Sequence, residues 1–109
     1  MAGRSIGLDD VREIALGLPG AEDGMSYGAP AVKVKGKLFV RWREDLNAIV
    51  LKTTFDEREA MMEEDPEVYY ITDHYLNYEY VLVSLEHVSR DVLPDLVKRS
   101  YDLAKKGKK

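Results

Sequence analysis

Between Val32 and Arg43 apolar and basic residues alternate on either side of Gly36, and no other stretch constrains the fold as tightly. Val32 and Val34 alternate with Lys33 and Lys35. Leu38, Val40 and Trp42 alternate with Lys37, Phe39, Arg41 and Arg43. Period-two alternation in two runs around a glycine predicts a β-hairpin with two chemically different faces. Parity selects the turn. A two-residue Lys35-Gly36 turn would pair Val34 with Lys37 and set Val32 and Val34 on the face of Arg41. A three-residue turn centred on Gly36 puts Val32, Val34, Leu38, Val40 and Trp42 together. The second turn is expected, because a one-residue slip would expose the whole apolar set. The opposite face then carries Lys33, Lys35, Lys37, Arg41 and Arg43, with Phe39 among them. One face needs a core, and the other is left to water or to a partner.

The rest of the chain supplies that core. A helix is expected from an N-cap at Asp9, burying Val11, Ile14, Ala15 and Leu18 and ending at Leu18-Pro19-Gly20. Gly20 to Pro30 reads as a glycine-rich loop. Ala48–Lys52 is a third strand after a turn at Glu44–Asn47. Thr54-Phe55-Asp56-Glu57 is a capping box, opening a helix to Asp65-Pro66 with Ala60, Met61 and Met62 facing inward. Val68–Ile71 and Tyr80–Leu85 are strands. The last helix carries the stripe Val92/Leu93, Leu96/Val97, Ser100/Tyr101 and Ala104, with Ser89 able to cap it. Pro94 leaves two options there: a bend in the first turn, or a start at Leu93-Pro94. The order is α-β-β-β-α-β-β-α. It predicts an α+β, two-layer domain with a largely antiparallel five-stranded sheet and helices on one face. A chain of 109 residues suits one such domain, 1–109, with 1–7 and 105–109 as flexible ends.

Composition excludes several function classes. No cysteine is present, which removes disulfide scaffolds, zinc knuckles, iron–sulfur clusters and thiol nucleophiles. No run of 18 apolar residues and no signal-peptide stretch is present, so a cytoplasmic protein with no membrane partner is expected. The net charge is -4, and a field of that sign repels nucleic acid at long range. The charge is unevenly placed: -3 over residues 1–32, +4 over 33–52, -9 over 53–89 and +4 over 90–109. Screening confines each charge to roughly 8–10 Å at physiological salt, so a basic region can still hold an anion.

Catalytic patterns are missing. His74 and His87 are the only histidines, and neither has partners at metal-ligand spacing. Ser26 and Ser84 lack a nucleophile elbow, and Gly24 to Gly28 precedes a strand where a phosphate-cradling loop would open a helix. No enzyme, metal or cofactor is expected. The compositional oddity is Tyr69 to Tyr80, which holds five of the seven tyrosines with His74 in their midst. Phenol rings supply stacking faces and hydroxyl donors at low entropic cost, which suits bases or a protein partner.

Taken in order, Leu18-Pro19-Gly20, Ser26-Tyr27-Gly28-Ala29-Pro30 and Lys33-Val34-Lys35-Gly36-Lys37-Leu38-Phe39 resemble the MmcQ/YjbR family of small bacterial proteins. Leu51-Lys52, His74-Tyr75 and Val81–Leu85 continue the resemblance, which covers roughly residues 8 to 105. Tyr27 and Tyr80 stand where tryptophan is frequent in that family, and Asn77 where glycine is common. The resemblance implies an α-β(3)-α-β(2)-α fold akin to secretion chaperones, and DNA binding through two hairpin wings. It implies no catalytic residue and no cofactor.

The expected function is therefore a non-catalytic binding domain with DNA as partner. Lys33, Lys35, Lys37, Arg41, Arg43 and Lys52 would neutralise phosphates, while Phe39, His74 and Tyr75 would add stacking or groove contacts. The alternative is a protein-interaction module, chaperone-like or homodimerising, acting through the open sheet face or the tyrosine segment. A third, weaker reading is a small-ligand pocket lined by His74, Tyr75 and Trp42.

Overall fold

A computed structural model of the chain describes residues 6–26 and 28–106. Leu8–Leu16 forms α1, started by Gly7, whose backbone N–H donates to the Asp10 carboxylate at 2.9 Å. The cap lies two residues before the expected Asp9, because the Asp10 carboxylate already satisfies the N–H of Gly7. Strands follow as β1 (Ala21–Ser26), β2 (Ala29–Val34), β3 (Lys37–Arg43) and β4 (Ala48–Lys52). Then come α2 (Phe55–Glu64), β5 (Tyr69–Tyr70), β6 (Tyr80–Ser84) and α3 (Leu93–Lys106). The last helix thus starts at Leu93-Pro94, where a missing N–H costs nothing. The sheet is antiparallel throughout its pairings, in the order β1-β2-β3-β4-β6-β5. Of the two ends expected to be flexible, residues 1–5 and 107–109 lie outside the described residues.

Two expectations are corrected. The sheet has six strands, since Ala21–Ser26, read as loop, pairs with β2 along its whole length from Ala21↔Val34 to Ser26↔Ala29. Glu22, Asp23 and Gly24 carry no strand propensity, and pairing on an open edge overrides it. The hairpin turn is also the rejected one. Val34 pairs with Lys37, and both turn residues have positive φ, Lys35 at 53° and Gly36 at 76°. That is the mirror-image turn whose twist suits two-residue hairpins. Val32, Val34, Val40 and Trp42 keep a common face because the register shifts beside them: Lys33 pairs with Leu38, which leaves the expected apolar set for the other face, but Val32 pairs with Val40, leaving Phe39 as an extra residue. A β-bulge thus restores the parity the tight turn would have broken.

Helices pack against one face. Val32, Val34, Phe39, Val40, Ile49, Leu51, Val81 and Val83 meet Val11 and Ala15 of α1 and Leu96, Val97, Tyr101 and Ala104 of α3, with Trp42 and Met61 half-buried at the margin. Phe39 packs edge-on to Tyr101, ring centroids 5.4 Å apart. Of the three residues expected to face inward from α2, Met61 packs on the core, Met62 is half-buried and Ala60 is exposed. No helix among the described residues is long and apolar enough to cross a membrane.

Candidate functional site

Antiparallel partners share a face, so the register decides which cations stand together. Ala31↔Arg41, Arg41↔Val50, Arg43↔Ala48 and Lys52↔Tyr80 place Arg41, Arg43 and Lys52 on the side away from α1 and α3. Lys33, opposite Leu38, joins them. Lys37, opposite Val34, does not, and Lys35 sits in the turn. Phe39, expected to stack on a ligand from this face, is instead 0% exposed on the helical side. The bulge that keeps the core face apolar is the cause. Glu22 pairs with Lys33 across β1 and β2 and offsets part of its charge.

This second face carries its own small core. Residues 71–80 fold over it, and Tyr75, in a short 3-10 turn at Asp73–Tyr75, packs on Ala48, Val50 and Leu82 with Tyr70, Ile71 and Tyr80 around them. Tyr75 is 6% exposed, and its hydroxyl oxygen accepts from Arg41 Nη1 at 3.1 Å and Arg43 Nη1 at 3.2 Å. Both guanidinium groups are held from behind as well. Arg41 Nε donates to the Ser26 carbonyl at 3.1 Å, and Arg43 makes a two-pronged bond to Asp45 at 3.0 and 2.8 Å. The Asp45 bonds, then the Tyr75 bond, hold the Arg43 pKa above its ordinary value, and the same guanidinium holds Asp45 below the usual carboxylate range. Arg43 is a permanent cation in this setting.

Beside these groups opens a cleft of about 810 Å³ lined by Ser26, Leu38, Arg41, Arg43, Leu46, Val50, Thr72, His74, Tyr75, Tyr78 and Tyr80. Among the described residues no Asp or Glu lines it. His74 stands exposed with its ring edge-on to Tyr75, centroids 4.9 Å apart. Lys52 lies over Tyr80, its Nζ 5.0 Å from the ring centroid. Arg41, Arg43, His74 and Tyr75 of the expected residues therefore meet at one site, with Lys52 and Lys33 on the same face. Trp42 points the other way, into the helical layer. A smaller groove of about 530 Å³ lies between α2 and α3, lined in part by Glu57, Glu64, Asp95, Lys98 and Arg99. Among the described residues no group of three His, Cys, Asp or Glu could hold a metal ion.

The residue that shapes the cleft wall is Arg58, which sequence reasoning passed over. It is 3% exposed. Its Nη1 donates to the carbonyls of Tyr75, Tyr78 and Tyr80 at 3.1, 2.7 and 3.2 Å, and Nη2 to that of Leu76 at 3.0 Å. One guanidinium thus gathers the backbone of the tyrosine-rich loop from the α2 side, with the Phe55 ring 4.9 Å from its Cζ. A signal was available. Arg58 is the only Lys or Arg between residues 53 and 89, set three residues before Met61 on the inward stripe of its helix.

The YjbR family model matches residues 16–103. The crystal structure of Deinococcus radiodurans protein DR2400, with family-model domain DUF419, aligns at a TM-score of 0.79, covering 92% of this chain and 79% of that one. The two sequences are 21% identical, a likeness that extends to the fold alone. Comparison with curated proteins gives no match.

Proposed function

The chain belongs to the YjbR family, and from that footing we propose that it is a non-catalytic binding domain whose open sheet face takes DNA. The observation that carries the reading is the convergence of Arg41 and Arg43 on one phenol oxygen, at 3.1 and 3.2 Å, in a cleft whose described lining holds no carboxylate. Guanidinium groups match phosphate oxygens geometrically, and these two are fixed before any ligand arrives, which lowers the entropic cost of binding. Lys52 extends the cationic surface beyond Tyr80, and Lys33 adds to it where Glu22 allows. The polar groups turned to the cleft donate to or stack on a ligand. None forms the base–nucleophile pairing that covalent catalysis needs. A cytoplasmic location follows from this reading.

Fluorescence anisotropy with a labelled oligonucleotide at low salt tests it. Arg41→Glu with Arg43→Glu abolishes binding, whereas Lys37→Glu, on the opposite face, leaves it within about two-fold, since a rim charge mainly changes the association rate. Absence of binding by the unaltered protein at low salt overturns the proposal. A second reading, a protein-interaction surface or homodimer, draws on the exposed Leu46, Leu76 and Tyr78 beside the cleft. It predicts a concentration-dependent mass in analytical ultracentrifugation.

A further inference from the structure

The cations of this face lie in a concavity, and that narrows what can reach them. An intact duplex presents its phosphates on a convex surface with its bases stacked away. A cleft of about 810 Å³ falls instead within the range of about 300–1,000 Å³ that encloses a small ligand. Its chemistry has two halves. Arg41 and Arg43, tied to Tyr75, form the anion-binding end. Tyr78, 58% exposed, and the exposed His74 offer rings at its margin, with Leu38 and Val50 as apolar wall. An anion joined to a flat, weakly polar body matches both halves at once. Among the described residues no amide or carboxylate side chain lines the cleft to read a base edge, so a base would be held by its π-face.

Resting on the nucleic-acid reading above, we infer that the cleft takes one unpaired nucleotide, its phosphate on Arg41 and Arg43 and its base stacked at Tyr78 and His74. The domain then prefers single strands and frayed ends to intact duplex, with little regard for base identity. Arg58 serves this site as a positioning residue, because it holds the carbonyls of Tyr75, Leu76 and Tyr78 and so fixes the wall that bears the rings.

A competition assay separates the possibilities. A short fluorescent oligothymidine is bound by the protein at low salt and challenged with AMP, adenosine, inorganic phosphate and a duplex. AMP displaces the strand, while adenosine and phosphate are each at least about ten-fold weaker competitors, since each fills half the site. Tyr78→Ala weakens the strand by about five-fold or more, the scale of one lost base stack, and weakens the duplex by less. Tyr78 is exposed, so this variant keeps its fold, which circular dichroism checks. Duplex binding as tight as strand binding, no displacement by AMP, or a neutral Tyr78→Ala overturns the inference. If Arg41→Glu with Arg43→Glu still abolishes binding in that case, the broader DNA reading stands. AMP binding more tightly than the strand overturns the strand preference in favour of a free nucleotide. Binding of neither strand nor duplex overturns both readings.

Discussion

Arg58 shows how much one side chain can decide. A buried guanidinium is costly unless its donors are met, and here four backbone carbonyls from Tyr75 to Tyr80 take up Nη1 and Nη2, while Nε stays buried without a partner among the described residues. In return those carbonyls gain a charge-assisted partner, added for Tyr75 and Tyr78 to the backbone bonds they accept from Tyr78 and Tyr80. Arg58→Ala is therefore expected to lower stability by about 2–3 kcal/mol, read as a fall in the urea midpoint. Hydrogen exchange should rise first at residues 73–80, and Arg58→Lys should restore only part of the loss, because an ammonium lacks the planar fork. Uniform exchange across the sheet in Arg58→Ala would refute the local role. A second residue tests the turn. Lys35 holds a φ of 53°, a conformation that costs an ordinary L-residue about 1–2 kcal/mol. Lys35→Asn makes the Asn-Gly pair favoured in such turns and should raise the thermal midpoint, with a gain of about 0.5–1 kcal/mol. Since Lys35 sits away from the cleft, ligand affinity should change little.

At the scale of elements, the bulge in β3 is the feature on which both faces depend. On its other side β3 pairs with β4 only as far as Val40↔Leu51, and α3 bridges the next step. The Ser100 hydroxyl donates to the Phe39 carbonyl at 2.6 Å and accepts from the Lys52 backbone N–H at 2.8 Å. Ser100→Ala would leave both groups buried and unpaired, so a loss of about 2 kcal/mol is expected from denaturant unfolding, with far-UV dichroism retained. The three helices, β3, β4 and the antiparallel α+β plan were legible from period and capping alone. Val32, Val34, Val40 and Trp42 fall on the expected face, and Arg41 and Arg43 on the other. What escaped was non-local. Strand β1 exists by pairing on the β2 edge, and the bulged Phe39 is held by Ser100 and Tyr101, about sixty residues away in the chain. Parity arithmetic has no access to an extra residue, so it chose the wrong turn and put Lys37, Leu38 and Phe39 each on the wrong face. The edge pair β5–β6 gives a pH prediction. Burial foremost raises the Tyr69 and Tyr70 pKa values above the ordinary 10.0. The unfolded chain thus loses those protons first, and their contribution, whole below pH 10, is lost as pH rises through the folded values. Alkaline titration of Tyr69→Phe with Tyr70→Phe should show a shallower fall in stability than the unaltered chain.

Over the whole molecule, a net charge of -4 and a DNA-binding face coexist only if the two signs are segregated. The acids between residues 53 and 89 are disposed accordingly. Glu57 and Glu64 line the groove between α2 and α3, and the Glu79 carboxylate accepts from the Phe55 backbone N–H at the start of α2. None lines the cleft. Asp45, which does pair with Arg43, belongs to the turn after β3 and orients the guanidinium from the side. Long-range repulsion by the acidic total is therefore expected to slow encounter at low salt, while the local contacts decide affinity. Placement then matters more than net charge. Glu22 faces Lys33 on the binding side of the sheet, whereas Glu63 lies exposed on α2. Glu22→Lys and Glu63→Lys alter the total equally. Glu22→Lys should strengthen oligonucleotide binding several-fold and steepen the salt dependence by close to one further unit of log–log slope, about 0.7 for a single strand and 0.9 for a duplex. Glu63→Lys should leave the slope unchanged and speed association only modestly. Equal effects of the two substitutions on affinity and slope would mean that binding follows the total charge, and the open face would then lose its claim to be the site.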